Sequence, residues 1–268
     1  MPSLRVLLAV VTSVALTGCI NSTTLIKLKA DGSGTVEQTT LMNTAALKAM
    51  MPGAEKQMGG GVVNKADLER TAARMGKGVR LVAAEPAKGA NGFEGSKAIF
   101  AFDDINKIQV SQGPGLGGGA SARTSAPSSD DPVKFKLTRS GGTATLTIDF
   151  VDRPSATSPD KPTPGAGDLP DLSNPMIMNM IKTMFQGFKI NIGLEVVGAI
   201  VKTNAEYVSG PRITLLELDM IAILADETKF KELQSKIGPE ASLSEVKPYL
   251  KDIKGIKVDG PSITVQFR

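Results

Sequence analysis

Histidine and tryptophan are missing from all 268 residues of this chain, cysteine occurs once and tyrosine twice. Each shortage removes a class of chemistry. Without histidine there is no Ser–His–Asp triad, no Cys–His pair and no His–Cys zinc centre. The usual proton shuttle at neutral pH is missing as well. A single cysteine excludes a disulfide framework. Aromatic residues make up only 4%, and the lysines are scattered, so the basic stripe and stacking platform of a nucleic-acid binder are both lacking. No apolar run reaches the ~20 residues that a membrane-crossing helix needs. Any catalysis would fall to Asp, Glu, Lys, Ser or Tyr. Composition therefore points to a non-enzymatic protein with no cofactor and no metal.

What is present starts at the amino terminus. Arg5 precedes an apolar run from Val6 to Leu16, broken only by Thr12 and Ser13, and the run closes on Leu16-Thr17-Gly18-Cys19. A charged start, a short apolar stretch and small residues at the end describe a secretory signal peptide. The last four residues resemble the lipobox of a bacterial lipoprotein. That resemblance implies cleavage before Cys19, a thioether-linked diacylglycerol on its sulfur, and acylation of the new amino terminus. Two or more acyl chains anchor a protein stably without spanning the bilayer. Residues 1–18 are thus expected to be a signal peptide, and the membrane is an expected partner through Cys19. No aspartate follows the cysteine, where Ile20 and Asn21 stand. The expected location is the bacterial cell envelope, with the outer membrane favoured in a Gram-negative host. A net charge of +4 adds only a mild attraction to anionic head groups.

The mature chain, 19–268, reads as one α+β domain. Thr23 to Lys29 and Thr35 to Met42 alternate around Asp31-Gly32-Ser33-Gly34 and predict a β-hairpin. Asn43 is placed to cap a short helix through Met51, followed by a Gly59-Gly60-Gly61 loop. Asn64 caps a second helix on which Leu68, Ala72 and Met75 share a face, with Gly76 ending it. Val79 to Ala84 and Ser96 to Asp103 read as strands. Val133 to Arg139 and Thr143 to Phe150 form a second hairpin around Ser140-Gly141-Gly142. The polar, Gly/Pro/Ser-rich stretches near 112–132 and 153–173 read as flexible insertions. Asn174-Pro175 opens the most apolar helix. Lys189 to Leu218 suggests a β-meander, Asp226 caps another helix, Ser242 and Glu245 form a capping box, and Ser262 to Phe267 is a terminal strand. Strands grouped in hairpins predict a mostly antiparallel sheet with helices packed on one face.

Several clusters invite a chemical reading. Gly113, Gly115 and Gly118 fit G-x-G-x-x-G, yet no helix follows, so a dinucleotide loop is not expected. Asp31, Ser33, Thr35 and Glu37 place an oxygen at every second position, but Val36 and Met42 stand where a calcium loop needs Gly and Glu. Asp103-Asp104 reads as a turn or helix cap. Glu217 and Asp219 share a strand face and are the candidates for a carboxylate-dependent hydrolase. On the helix after Pro175, the residues Ile177, Met180, Ile181, Met184, Phe185 and Phe188 share one side, with Met178 off it. Three roles stay open for this Met-rich helix: core packing, a pliable apolar groove for a ligand, and Cu(I) binding by thioethers.

Two segments resemble LppM-type lipoprotein domains. One is Cys19 with the strand after it and Asp31-Gly32-Ser33-Gly34-Thr35-Val36. The other runs from Gly193-Leu194-Glu195-Val196-Val197-Gly198 through Val201-Lys202-Thr203-Asn204-Ala205 to Gly210-Pro211-Arg212-Ile213-Thr214-Leu215. The resemblance implies an envelope-anchored α/β domain tied to lipid or glycolipid binding, and it supplies no catalytic residue. The resulting expectation is a membrane-anchored, non-enzymatic envelope lipoprotein that binds an amphiphilic or lipid ligand, or a partner protein. The alternatives are a scaffold in an envelope assembly and the carboxylate hydrolase.

Overall fold

Alternation of apolar and polar residues organises the chain from its first described residue. The computed structural model describes residues 20–43, 63–111, 132–150, 175–236, 243–251 and 253–268. In order these form β1 (Ile20–Leu28), β2 (Gly34–Asn43), α1 (Lys65–Met75), β3 (Arg80–Lys88), β4 (Phe93–Phe102), a 3-10 turn (Ile105–Lys107), β5 (Val110–Ser111), β6 (Pro132–Ser140) and β7 (Thr143–Asp149). There follow α2 (Pro175–Met184), β8 (Lys189–Val196), β9 (Ile200–Thr203), β10 (Val208–Ser209), β11 (Arg212–Asp219), α3 (Met220–Leu224), α4 (Glu227–Lys236), α5 (Leu243–Leu250), β12 (Ile256–Val258) and β13 (Ser262–Phe267). Cys19, the helix expected to Met51, the triple-glycine loop, Ser242 and the insertions at 112–131 and 153–173 lie outside the described residues.

The strands form two sheets. The larger has the order β10-β11-β8-β1-β2-β4-β3, with β12 also pairing β11. The smaller has the order β5-β6-β7-β13-β9. β1 sits at the middle of the larger sheet, antiparallel to β2 and parallel to β8. It buries every second residue: Ile20, Ser22, Thr24, Ile26 and Leu28. One continuous apolar cluster joins the sheets, with Ile26, Phe100, Leu194 and Ile213 from the larger and Leu137, Leu146, Val265 and Phe267 from the smaller. Full burial of a Phe, Leu or Ile side chain contributes ~1.5–3 kcal/mol, so this shared layer is the main cohesive term.

That layer corrects the expected fold class. The chain is dominated by its sheets and is not an α+β sheet with helices packed on one face. Among the described residues, thirteen strands stand against five α-helices. The physical reason lies in β6, β7 and β13. Their inward residues (Phe135, Leu137, Leu146, Ile148, Val265 and Phe267) are all buried, and they make an apolar surface broad enough to cover the larger sheet. Helices fill its margins. α1 adds Ala72 and Met75 to the shared core. α3 packs Ile223 with Leu250, Ile253, Ile256 and Val258.

The expected meander is also broken. β8 and β11 pair antiparallel in the larger sheet, but β9 between them crosses to the smaller sheet and pairs with β13. Gly198 makes the crossing. Its φ is +136°, and a Cβ there would lie 2.1 Å from the Arg268 carbonyl oxygen. Next to it, the Ala199 N–H donates to the Arg268 carbonyl at 2.9 Å and the Arg268 N–H donates back at 3.2 Å.

The local expectations hold where the signals were local. Asn64 Oδ1 accepts from the Ala66 and Asp67 amides at 3.1 and 3.3 Å, capping α1. Gly141 and Gly142, with φ of +57° and +78°, close the β6–β7 hairpin, the geometry a two-residue primed turn requires. The terminal strand β13 is paired on both sides.

Gly198→Ala should therefore destabilise the protein more than Gly141→Ala. Both place alanine at positive φ, a cost of roughly 1–2 kcal/mol. Nothing lies within 4 Å of a Cβ at Gly141, whereas the clash at Gly198 is with backbone and adds about 1–3 kcal/mol. Thermal unfolding of the two variants measures the difference, and equal melting temperatures would contradict the close approach.

Candidate functional site

The two ends of the larger sheet differ in chemistry. At one end Ile20 pairs with Met42 and Asn21 lies beside Lys189. At the other end the β1–β2 turn meets the 3-10 turn and β6. There an open cleft of about 540 Å³ is lined by Asp31, Asp103, Asp104, Asn106, Lys107, Leu137 and Arg139.

Every charge at this cleft has work within the fold. Asp31 Oδ1 accepts from the Ser33 hydroxyl at 2.7 Å and the Ser33 amide at 2.9 Å. This Asx turn is the hairpin reading of Asp31-Gly32-Ser33-Gly34. Those two bonds, the hydroxyl's first, hold the Asp31 carboxyl below its ordinary range. Asp104 caps the 3-10 turn, accepting from Asn106 Nδ2 at 2.8 Å and the Asn106 amide at 3.1 Å. The same donors, aided by Lys107, hold its carboxyl low. Asp103 pairs with Arg80 at 3.0 Å. Asn106 Oδ1 accepts from the Leu137 amide at 2.6 Å. Arg139 reaches from β6 to the hairpin turn. Its Nε donates to the Ala30 carbonyl at 2.9 Å and an Nη to the Asp31 carbonyl. The cleft is thus a polar seam that fastens the smaller sheet to the β1–β2 turn. Asp31 and Asp104 are held below their ordinary range by these donors, the opposite of the rise toward neutral pH that a general acid needs.

Glu217 and Asp219 do share β11, but each has its own cation. Lys257 Nζ lies 2.9 Å from Glu217 Oε2, and Lys189 Nζ lies 3.5 Å from Asp219 Oδ2. Asp219 also caps α3, accepting from the Ala222 amide at 3.2 Å. Among the described residues, no three His, Cys, Asp or Glu side chains converge as a metal site.

The apolar helix forms as α2, and of the residues expected on its ligand-facing side only Phe185 and Phe188 have described side chains. They are half-buried, with ring centroids 5.9 Å apart at 88°. The side chains of Ile177, Met180, Ile181 and Met184 lie outside the described residues. Met178, placed off that side by the helical period, is 2% exposed and packs with Leu224, near Phe185, Met220 and Phe230. The helix therefore packs against α3 and α4 through Met178. Met176, two residues toward its start, is 80% exposed.

Arg139 and Asp259 were not singled out by the sequence reading. Asp259 is 2% exposed where the chain passes from β12 in one sheet to β13 in the other. Its carboxylate accepts from the Gly260 amide at 2.8 Å and the Glu206 amide at 3.2 Å. Burial pushes its carboxyl above the ordinary range despite these donors and the nearby Lys247. In sequence, Asp259-Gly260-Pro261 signals only a turn.

No protein-family model matches the chain, and no curated protein sequence matches it. Among solved structures it aligns with the NMR structure of the Mycobacterium tuberculosis LppM protein folded domain. The alignment has 12% identity and a TM-score of 0.36, covering 94% of this chain and 91% of that one. That degree of likeness transfers no residue and no role.

Two predictions follow from the polar contacts. Arg139→Ala should cost about 1 kcal/mol, the net worth of exposed hydrogen bonds, and should speed amide exchange at Gly32 and Ser33. Lysine at this position should recover only part, because an ammonium lacks the planar fork. Asp259, with its raised carboxyl, binds more protons folded than unfolded between the ordinary carboxylate range and its own value. Its contribution to stability therefore falls as pH rises through that window. The melting temperature of Asp259→Asn relative to wild type should thus climb with pH from the acid side toward neutrality. A flat difference would contradict the burial.

Proposed function

We propose that this protein is a bilayer-tethered lipoprotein of the bacterial envelope, whose β-sandwich holds an amphiphilic ligand or a partner protein and performs no chemistry on it. The observation that carries the reading is the lipobox Leu16-Thr17-Gly18-Cys19 placed directly before Ile20, the first residue of a core strand and 1% exposed. A signal of this kind supplies the address, and lipid on Cys19 supplies the anchor.

The chemistry of the body supports a quiet role. The carboxylates that sequence offered for catalysis, Glu217 and Asp219, are each occupied by a lysine. Among the described residues no helix is long and apolar enough to cross a membrane. For binding, the support is the apolar sequence of α2 and the exposure of Met176 at its start. A flexible thioether surface adapts to irregular apolar partners. The missing aspartate after Cys19 favours the outer membrane in a Gram-negative host.

Metabolic labelling with a palmitate analogue should mark the wild type and leave Cys19→Ser unmarked. The serine variant should move from the membrane fraction to the soluble one. Equal labelling, or unchanged sedimentation of the variant, would refute the anchor. Native mass spectrometry of the purified body after exposure to envelope lipid extract then tests the ligand. A retained lipid mass is the expected result, and recovery of the bare chain counts against it.

A further inference from the structure

We infer that the Ile20 end of the larger sheet rests directly on the lipid head groups, so that the strands stand up from the bilayer and the Asp31–Arg139 cleft faces away from it. This rests on the lipidation of Cys19 proposed above, and it goes further by assigning a surface and an orientation.

The argument is geometric. Adjacent Cα atoms across a trans peptide are ~3.8 Å apart, so the lipid-bearing residue lies within one residue of Ile20. Ile20 is not a loose end. It is paired with Met42 and 1% exposed. No spacer therefore separates the acyl chains from the folded body. β1 is also the middle strand of the larger sheet's path, so the attachment emerges from the centre of that sheet's end and not from an edge strand. A central attachment without slack brings the neighbouring strand ends down with it. These are Asn43 of β2, Lys88 of β3, Lys189 of β8 and Asp219 of β11.

The same end carries apolar surface suited to a lipid boundary. α3 starts immediately after Asp219, and its Ile221 is 49% exposed. One turn on, Leu224 packs with Met178 of α2, and Met176 near the start of α2 is 80% exposed. At the opposite end, the cleft lies the length of β1 away. Nine residues at ~3.3 Å each span about 27–30 Å.

The lone cysteine makes the test clean, because lipidation consumes it and any introduced thiol is then the only free one. Ile221→Cys and Lys88→Cys probe the proposed contact end, and Lys29→Cys probes the distal end. Each protein is made with its signal sequence in a bacterial host, labelled with a fluorophore, and reconstituted in phosphatidylcholine–phosphatidylglycerol vesicles. The vesicles carry a nitroxide on the head group. The Ile221 and Lys88 probes should lose several-fold more fluorescence than the Lys29 probe. Equal loss at all three, greater loss at Lys29, or no loss at any would overturn the orientation. Intact mass of the same samples separates the two claims. A mass lacking acyl chains would refute the anchor and the orientation together. A lipidated mass with equal quenching would refute the orientation alone.

Discussion

Burial of one face of each sheet against the other is the constraint on which the remaining structure depends. The larger sheet could not leave Ile26, Phe100, Leu194 and Ile213 facing water, and the smaller could not leave Leu146, Val265 and Phe267 there. Apolar area removed from water is the dominant favourable term in folding, and here it is removed by stacking strand on strand. Once the sheets face one another, the chain must cross between them. Gly198 and Asp259 stand at two of those crossings, one by allowing close backbone approach and the other by gathering the Glu206 and Gly260 amides onto a buried carboxylate. Arg139 fastens the margin by bonding two carbonyls of the β1–β2 turn.

Among the described residues, the carboxylates named above serve the architecture of the fold. Asp31 makes a turn, Asp104 and Asp219 cap short helical segments, and Glu217 is paired with a lysine. Asp31 and Asp104, held in the charged form by amide and hydroxyl donors, give up their readiness to exchange protons.

Sequence made the local structure legible and left the partners of each strand obscure. The β1–β2 and β6–β7 hairpins were readable because alternation and turn chemistry act over a few residues. The cap at Asn64 and the turn at Asp104 were readable for the same reason. Alternation also says that one face of a strand is buried, but it does not say by what, and so helices were assigned a face that β6, β7 and β13 cover. β8 and β9 look alike in sequence, and the chain passes from one sheet to the other at Gly198, through a backbone contact with Arg268 that sequence does not show. Arg139 and Asp259 were invisible because their partners lie 108 and 53 residues away. On α2, the helical period grouped Met180 and Met184 and set Met178 apart, yet Met178 is the side chain that packs on Leu224. An apolar helix offers more than one side to bury, and its neighbours choose between them.

The parallel pairing of β1 with β8 has a kinetic consequence. Synthesis delivers β1 first and its parallel partner roughly 170 residues later, and contacts this distant along a chain form slowly. Until Lys189–Val196 arrives, the hairpin of β1 and β2 has one long unpaired edge, a template for pairing with the wrong chain. The nascent polypeptide therefore passes through an extended interval in which it is sticky, and a holding factor that shields that edge would govern its yield more than the final stability does.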